Sequence, residues 1–477
     1  MTKTAAKQAD ALLHDLFPIC RSITGGGLRR TFDLLRQVTP FDLHEVPSGT
    51  ACYDWTVPDE WNVRDAFVAD PGGRRVIDFR QNNLHLVNYS EPFEGRLTFD
   101  ELRPHLFTLP DLPDAIPYRT SYYRRMWGFC LTQKQFDALD REAAYHIRVD
   151  TTLAPGSLTY GEAALAGTSG QEFLVSTYAC HPSLGNDNLS GIVLWTLLLR
   201  ELRQKKLRHP YRFVIVPETI GALAWLAQNE ARAKSLAGGF VLSTVAGPGK
   251  FGYKQSFRGD ARVDRAARLA FRERGLDFIE YPFDVNGSDE RQYSSPAFRI
   301  PVGTICKDKY YEYPYYHTSL DNLEFISAEA LAQTLDLYLL AIEKLEQERD
   351  DVECDSHFRS DCHIATQIPH KSQHEQERIY RSKMPCGEPM LGKRGLYPAI
   401  GGSIKQAAAS ARHAERRYEV QDERSLYGSE LDAIRWLMFH GDGQTSLSAI
   451  AEQTGLPVRQ LTEVAEKLVG HGLLEEL

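Results

Sequence analysis

No apolar run in the 477-residue sequence approaches the ~18 residues that a membrane-spanning helix needs, which excludes such a helix. Cysteine is scarce, with eight in the chain and no CxxC pair, so a disulfide scaffold, a zinc ribbon and a thioredoxin-type motif are all excluded. The opening MTKTAAKQAD has no apolar h-region, and the expectation is a cytoplasmic chain. A surplus of positive charge is also lacking. The formal net charge of −9 argues against nucleic-acid binding through bulk electrostatics. What is present is ordinary: 42% hydrophobic and 25% charged residues describe a globular protein, and the length suggests about three domains. An acidic, multidomain enzyme is the expectation.

The texture of the chain changes several times. ADALLHDLF and LRRTFDLLRQV carry apolar residues at three-and-four spacing and read as helices, with SITGGG as the turn between them. From about Val46, short β-like runs (VIDFR, LHLVNY, RLTFD) alternate with turn-rich segments, the look of a small β module. From about Tyr145 to Gln347, strand candidates such as EFLVSTYA, YRFVIVPE and VGTICKD alternate with helical stretches. That alternation predicts an α/β fold with a largely parallel sheet, whose functional residues lie at the carboxyl ends of strands. The domain expectation is therefore a core over 1–45 and 126–350, a β-rich insert over 46–125, a polar linker over 351–381, a connecting segment over 382–428, and a three-helix unit resembling a winged helix over 429–477.

Four segments of the α/β region carry chemistry. ACHPSLGNDNLSGI puts His181 and Asp187 on a turn after a strand, where imidazole and carboxylate suit zinc, although Asp187 could equally cap the next helix. Glu218 ends the strand of YRFVIVPE. Desolvation there raises a carboxyl pKa and suits a general base, while the dipole of the next helix offers a purely structural role. VNGSDERQY crowds Ser288, Asp289, Glu290 and Arg291 before another strand, and YYEYPYYHTSLDN sets His317 among five tyrosines. One rim of one sheet would collect His181, Asp187, Glu218, Asp289 and His317, a set that fits a hydrolytic zinc centre.

These motifs, in this order (Asn186-Asp187-Asn188 with Ser190-Gly191, Glu218, Gly287-Ser288-Asp289, Tyr316-His317-Thr318 with Asp321), resemble those of bacterial zinc aminopeptidases, a family that includes the glutaminyl cyclases. PICRSITGGG, WGFC, CHPSLGNDNLSG and EPMLGKRGLYP are similar to an aminopeptidase-like branch with an inserted β domain and a C-terminal winged helix. The resemblance implies a three-layer zinc-exopeptidase core with a mixed, largely parallel sheet. It implies that His181 and Asp289 hold one metal, that Asp187 bridges, that His317 faces the second metal position and that Glu218 is the base. One departure stands out: the family's second adjacent acid is replaced by Thr219, so one tightly held zinc is expected and any second ion only weakly. Glu290, Arg291 and Tyr316 are candidate substrate contacts, with Arg291 or a tyrosine of 310–316 as oxyanion stabiliser.

The expected activity is hydrolysis of peptide or other small amide bonds. Two alternatives remain open: a single-zinc acyl transferase of the glutaminyl-cyclase kind, and a non-catalytic regulator or scaffold with a vestigial site. Cys354, His357, Cys362, His363, His370 and His374 match no standard zinc module and read as part of a polar tract. The tail over 429–477 has eight acidic residues against three basic ones, Arg435, Arg459 and Lys467. An acidic face does not suit phosphate contact, so a protein partner or homo-oligomer is expected through the tail rather than sequence-specific nucleic acid.

Overall fold

The computed structural model describes residues 2–348, 378–397 and 426–477. At its centre is an eight-stranded mixed sheet, ordered Asp42–Pro47, Ser157–Leu165, Tyr211–Val216, Phe173–Tyr178, Gly238–Leu242, Val302–Lys307, Phe251–Lys254, Phe278–Tyr281. The four middle strands run parallel. Antiparallel pairs lie outside them.

The middle strands are mostly apolar and buried along nearly their whole length because both faces are covered. Side chains alternate across the sheet. Phe173, Val175, Phe213 and Ile215 turn to one face and pack with the helices Gly191–Leu202, Ala328–Gln347 and Arg262–Arg274. Leu174, Val214 and Val216 turn to the other, against the helix Ile220–Gln228 and the small β module. The result is three layers, as the alternating sequence predicts.

The small module is an antiparallel sheet ordered Arg75–Asp78, Glu60–Ala69, Ala144–Ala154, Phe93–Thr98. Its boundary differs from the expected 46–125. The strand Ala144–Ala154 pairs along the whole of Glu60–Ala69 before the chain crosses into the large sheet at Ser157. A half-buried strand reads the same whichever sheet it joins, so alternation alone places it in the wrong unit.

The tail has winged-helix architecture: helices Leu426–Phe439, Leu447–Thr454 and Val458–Gly470 with an antiparallel sheet ordered Asp442–Ser446, Ile379–Ser382, Leu474–Glu476. The central strand of that sheet comes from Ile379–Ser382, so the tail unit also draws on residues expected to be linker and connecting segment. Its arginine-flanked sequence, RIYRS, carries no apolar alternation that would mark a strand. The six Cys and His residues of 354–374 lie outside the described residues.

The apolar faces of the tail helices are buried within the tail, on Leu431, Ile434, Leu461 and Leu468, and against the core. Docking onto the core uses Phe439 against Phe283 (centroids 4.8 Å apart), with Trp436 and Phe257 around them. Arg299 lies over the Phe439 ring at 4.7 Å and donates to the Phe439 carbonyl at 3.1 Å. Phe439→Ala is expected to cost about 3 kcal/mol and to split denaturant unfolding into two steps, the tail melting first. A single unchanged transition by fluorescence would show that this contact does not couple the units.

Candidate metal centre

His181, Asp187 and Glu218 stand just beyond the ends of apolar strands, and His317 on the loop after another. After Phe173–Tyr178 the chain turns through His181 into Gly185–Ser190 and the helix Gly191–Leu202. The Asp187–Asn188 peptide is cis. Asn188 Nδ2 donates to Thr177 Oγ1 (3.0 Å), the Tyr178 carbonyl (3.1 Å) and the Leu242 carbonyl (3.3 Å), fastening the turn to two strands. Asp187 caps no helix. Its Oδ1 accepts from the Tyr178 hydroxyl at 2.5 Å, and its Oδ2 is buried without a hydrogen-bond partner.

His317 arrives on the loop after Val302–Lys307, with a left-handed φ of 54°. Tyr316 stacks on its ring at 3.9 Å, and the Tyr118 N–H takes its carbonyl at 2.8 Å. His317 Nε2 lies 2.9 Å from Asp187 Oδ2, and His181 Nε2 lies 4.0 Å from the same oxygen. His181, Asp187 and His317 therefore form one buried group of donor atoms. Neither ring nitrogen of His317 has a hydrogen-bond partner, although both are buried. Orphaned imidazole nitrogen and carboxylate oxygen converging at this spacing fit a small divalent cation of the zinc type.

Glu218 follows the strand Tyr211–Val216 on a strained turn. The Ile220 N–H donates to the Glu218 carbonyl at 2.8 Å, closing a three-residue γ-turn on Thr219, whose φ is 63° and ψ −77°. A β-branched residue is held there at a cost in backbone strain. The turn puts the Glu218 carboxylate 3.8 Å from His181 Nε2 with its side chain 26% exposed. Burial raises the Glu218 pKa above the ordinary carboxylate value, with the His181 charge opposing and Asp187 adding to the rise. Burial lowers the His181 pKa, against the pull of Asp187 and Glu218. For Asp187 burial works upward, but His181, His317 and the Tyr178 hydroxyl together hold its pKa below the usual range.

Asp289 differs from its expected place beside His181. Among the described residues it is not part of the donor groups: its Oδ1 accepts the Thr219 N–H at 2.7 Å, while its Oδ2 is buried without a hydrogen-bond partner. Its pKa is raised, by burial first and then by the Glu218 charge. Glu290 is also corrected as a substrate contact. Its carboxylate accepts from Thr304 Oγ1 (3.0 Å), the Tyr310 hydroxyl (3.0 Å) and the Ser288 N–H (2.9 Å), beside Lys254 at 3.8 Å. It is buried in that network and does not line the cavity.

A cavity of about 710 Å³ opens over the centre. His181, Glu218, Arg291, Tyr316 and His317 line it as the sequence suggests. Tyr311, one of the tyrosines of 310–316, also lines it, whereas sequence reasoning missed Tyr118, whose ring packs against both His181 (5.1 Å) and His317 (5.2 Å), and also missed Glu388–Tyr397 and Arg435 as cavity residues. EPMLGKRGLYP, singled out only as a signature, is the strap over this cavity: Arg394 and Lys393 pair with Asp54 of the small module, and the Trp55 indole donates to the Glu388 carbonyl at 2.8 Å. PICRSITGGG supports the centre from behind, since buried Arg21 donates to the His181 carbonyl at 3.1 Å.

The three layers, with these donor residues at the carboxyl rim, form a fold shared with zinc aminopeptidase structures. The chain resembles BSAP, a zinc aminopeptidase from Bacillus subtilis, with a TM-score of 0.53 at 15% identity over 74% of this chain and 96% of that one. It belongs to the family described as a domain of unknown function (DUF4910), which matches residues 10–348, and residues 378–414 match a winged helix-turn-helix. A Clostridium acetobutylicum relative is 39% identical over 464 residues, covering 97% of this chain and 95% of its own. It is provisionally described as a polysaccharide biosynthesis protein with an aminopeptidase-like domain. A crystal structure from the same organism, provisionally described as a peptidase, is similar with a TM-score of 0.71 at 36% identity, over 100% of this chain and 97% of that one.

Thr219→Gly tests the strained turn. The released strain, of order 1–3 kcal/mol, should outweigh the extra unfolded-state freedom of glycine, for a net gain of about 1 kcal/mol. Guanidinium denaturation reads it directly; a loss of stability would mean that the turn is not strained.

Proposed function

We propose that the protein is a zinc-dependent hydrolase of peptide or other amide bonds, with Glu218 as general base. The observation that carries this reading is the buried pair of donor atoms Asp187 Oδ2 and His317 Nε2, 2.9 Å apart and free of other partners, beside His181 and Glu218, with His181, Glu218 and His317 lining a cavity. His181, Asp187 and His317 would hold the metal. Bound zinc supplies Lewis acidity, acidifying water and polarising a carbonyl. Glu218, raised on its turn and facing the cavity, takes the proton from the attacking water and returns it to the departing amine. Tyr316 fixes the His317 ring by stacking, and Arg291 is held at the cavity wall by Glu388 at 2.8 Å, where it can face a developing oxyanion.

A single tightly held zinc fits best. Thr219 offers no carboxylate, and Glu290 is committed to Lys254, Tyr310 and Thr304. The glutaminyl-cyclase-like alternative draws no support from the relatives. A scaffold with a vestigial site predicts no stoichiometric metal. No helix among the described residues is long and apolar enough to cross a membrane. The Arg378 and Arg459 side chains are paired with Glu466, Glu476 and Glu463 on the tail, which supports a tail that does not bind nucleic acid by sequence.

Two measurements test the reading. Elemental analysis after gel filtration should find one zinc per chain; two retained ions would refute the single-site account, and none would favour the scaffold. Glu218→Gln keeps the shape of the side chain but cannot accept a proton, so zinc should stay bound while kcat falls by about 10²–10⁴. Loss of zinc would make Glu218 a ligand, and unchanged turnover would make it structural.

A further inference from the structure

The cavity is charged in the wrong sense for a free amino terminus. Among its described lining residues, five are basic (Arg124, Arg125, Arg291, Lys393, Arg435) and only Glu218 and Glu388 are acidic. Glu388 is taken by Arg291, and Glu218 stands at the metal donors. No carboxylate in the lining is left to receive an ammonium group. Arg125 and Lys393 are neutralised by Asp59 and Asp54.

Arg435 differs from the others. It is 9% exposed, sits on the tail helix Leu426–Phe439, and has no carboxylate partner among the described residues. Its Nη1 donates to the Asn286 side-chain oxygen at 2.5 Å, and its Nε is buried with no partner at all. Asn286 in turn donates to Asp432 Oδ1 at 2.9 Å, so the nearest carboxylate in this chain of contacts is one side chain removed. A largely buried guanidinium at a cavity wall with one neutral acceptor of its own suits an anion.

Tyr311 completes the wall. Its backbone is held at a left-handed φ of 65°, and its hydroxyl makes no hydrogen bond among the described residues. Tyr311, Arg435 and Arg291 line the same cavity. Burial raises the Tyr311 pKa, the Arg435 and Arg291 charges oppose the rise, and the Glu218 charge adds to it. The Tyr311 ring packs on Tyr316 at 4.8 Å, and Tyr316 in turn stacks on His317 at 3.9 Å. Arg435 and the metal donors thus border one continuous aromatic wall.

We propose that the cavity takes an amide whose far end carries an oxyanion, a carboxylate or a phosphate ester, bound by Arg435 and the Tyr311 hydroxyl. The winged-helix tail then supplies a substrate-binding residue to the catalytic cavity. This assignment of substrate class rests on the amide-hydrolase reading, and the test separates the two.

Calorimetric titration of the full-length, metal-free chain with inorganic phosphate and with N-acetylglycine should show saturable binding of at least one. N-acetylglycinamide, which lacks the charge, should not bind. The stronger of the two anions identifies the source of the oxyanion. Arg435→Gln, which retains an amide donor toward Asn286, should weaken binding by about 10–100-fold, and Arg435→Lys should restore most of it. Binding of neither anion, equal binding of N-acetylglycinamide, or an Arg435→Gln variant that binds like the parent would overturn the subsite. If Arg435→Gln does not fold, the comparison of charged and uncharged ligands on the parent chain decides alone. Anion binding that depends on Arg435, in a zinc-loaded chain that cleaves no amide, would leave the subsite standing and refute the hydrolase reading.

Discussion

One buried carboxylate sets the spacing on which the centre depends. Asp321 accepts the N–H groups of Asn186 (2.6 Å) and Asp187 (3.0 Å), and its Oδ2 also takes the Tyr313 hydroxyl at 2.8 Å. It lies four residues after His317, on the same loop. The loop that carries one imidazole is thereby bolted to the loop that carries the shared carboxylate. Without that bolt, two irregular segments from different strands would have to find a donor spacing of a few ångströms by themselves. Backbone N–H groups pointing at a carboxylate are shorter and stronger than neutral hydrogen bonds, so the joint is stiff where metal geometry is least forgiving.

The same logic extends outward to the supporting elements. Asn188 fixes the Asp187 turn to the strands Phe173–Tyr178 and Gly238–Leu242. Arg21 fixes the His181 carbonyl from the amino-terminal segment, and Tyr118 packs against both histidines from the inserted module. Three stretches far apart in sequence converge on one small cluster. The module is inserted between two paired strands of the main sheet, Asp42–Pro47 and Ser157–Leu165, and not simply appended: its last strand delivers the chain to Ser157 while its turn region walls the cavity.

What the sequence made legible follows from how locally each signal is encoded. Strand–helix alternation and full burial of the middle strands are written into apolar runs, so the α/β core could be read directly. His181, Asp187, Glu218 and His317 could be read because each follows such a run, and topology alone gathers strand ends at one rim. The closing strand of the module and the central strand of the tail could not be placed, since each pairs across a long separation and pairing leaves no local mark. Asp289 was assigned to the metal by position, yet its Oδ1 is claimed by a backbone N–H, a contact that depends on the hand of the Thr219 turn. Arg435 reaches the cavity from 118 positions beyond His317, and in the tail it reads as one more surface arginine.

The replacement at Thr219 and the basic cavity belong to one argument. A second acid at that turn would add a donor and negative charge to the centre, favouring a second metal and an ammonium group near it. With threonine there, the turn offers no carboxylate, and its N–H holds one oxygen of Asp289. The centre has one acid fewer than a second carboxylate at that turn would give it. The cavity wall then carries the larger share of fixed charge, and that share is positive. Since Arg435 and the strap beginning at Glu388 border the same space, the tail forms part of the boundary of the cavity. The appended unit and the altered turn therefore push recognition the same way, from the amino end of a substrate toward an acidic group beyond it.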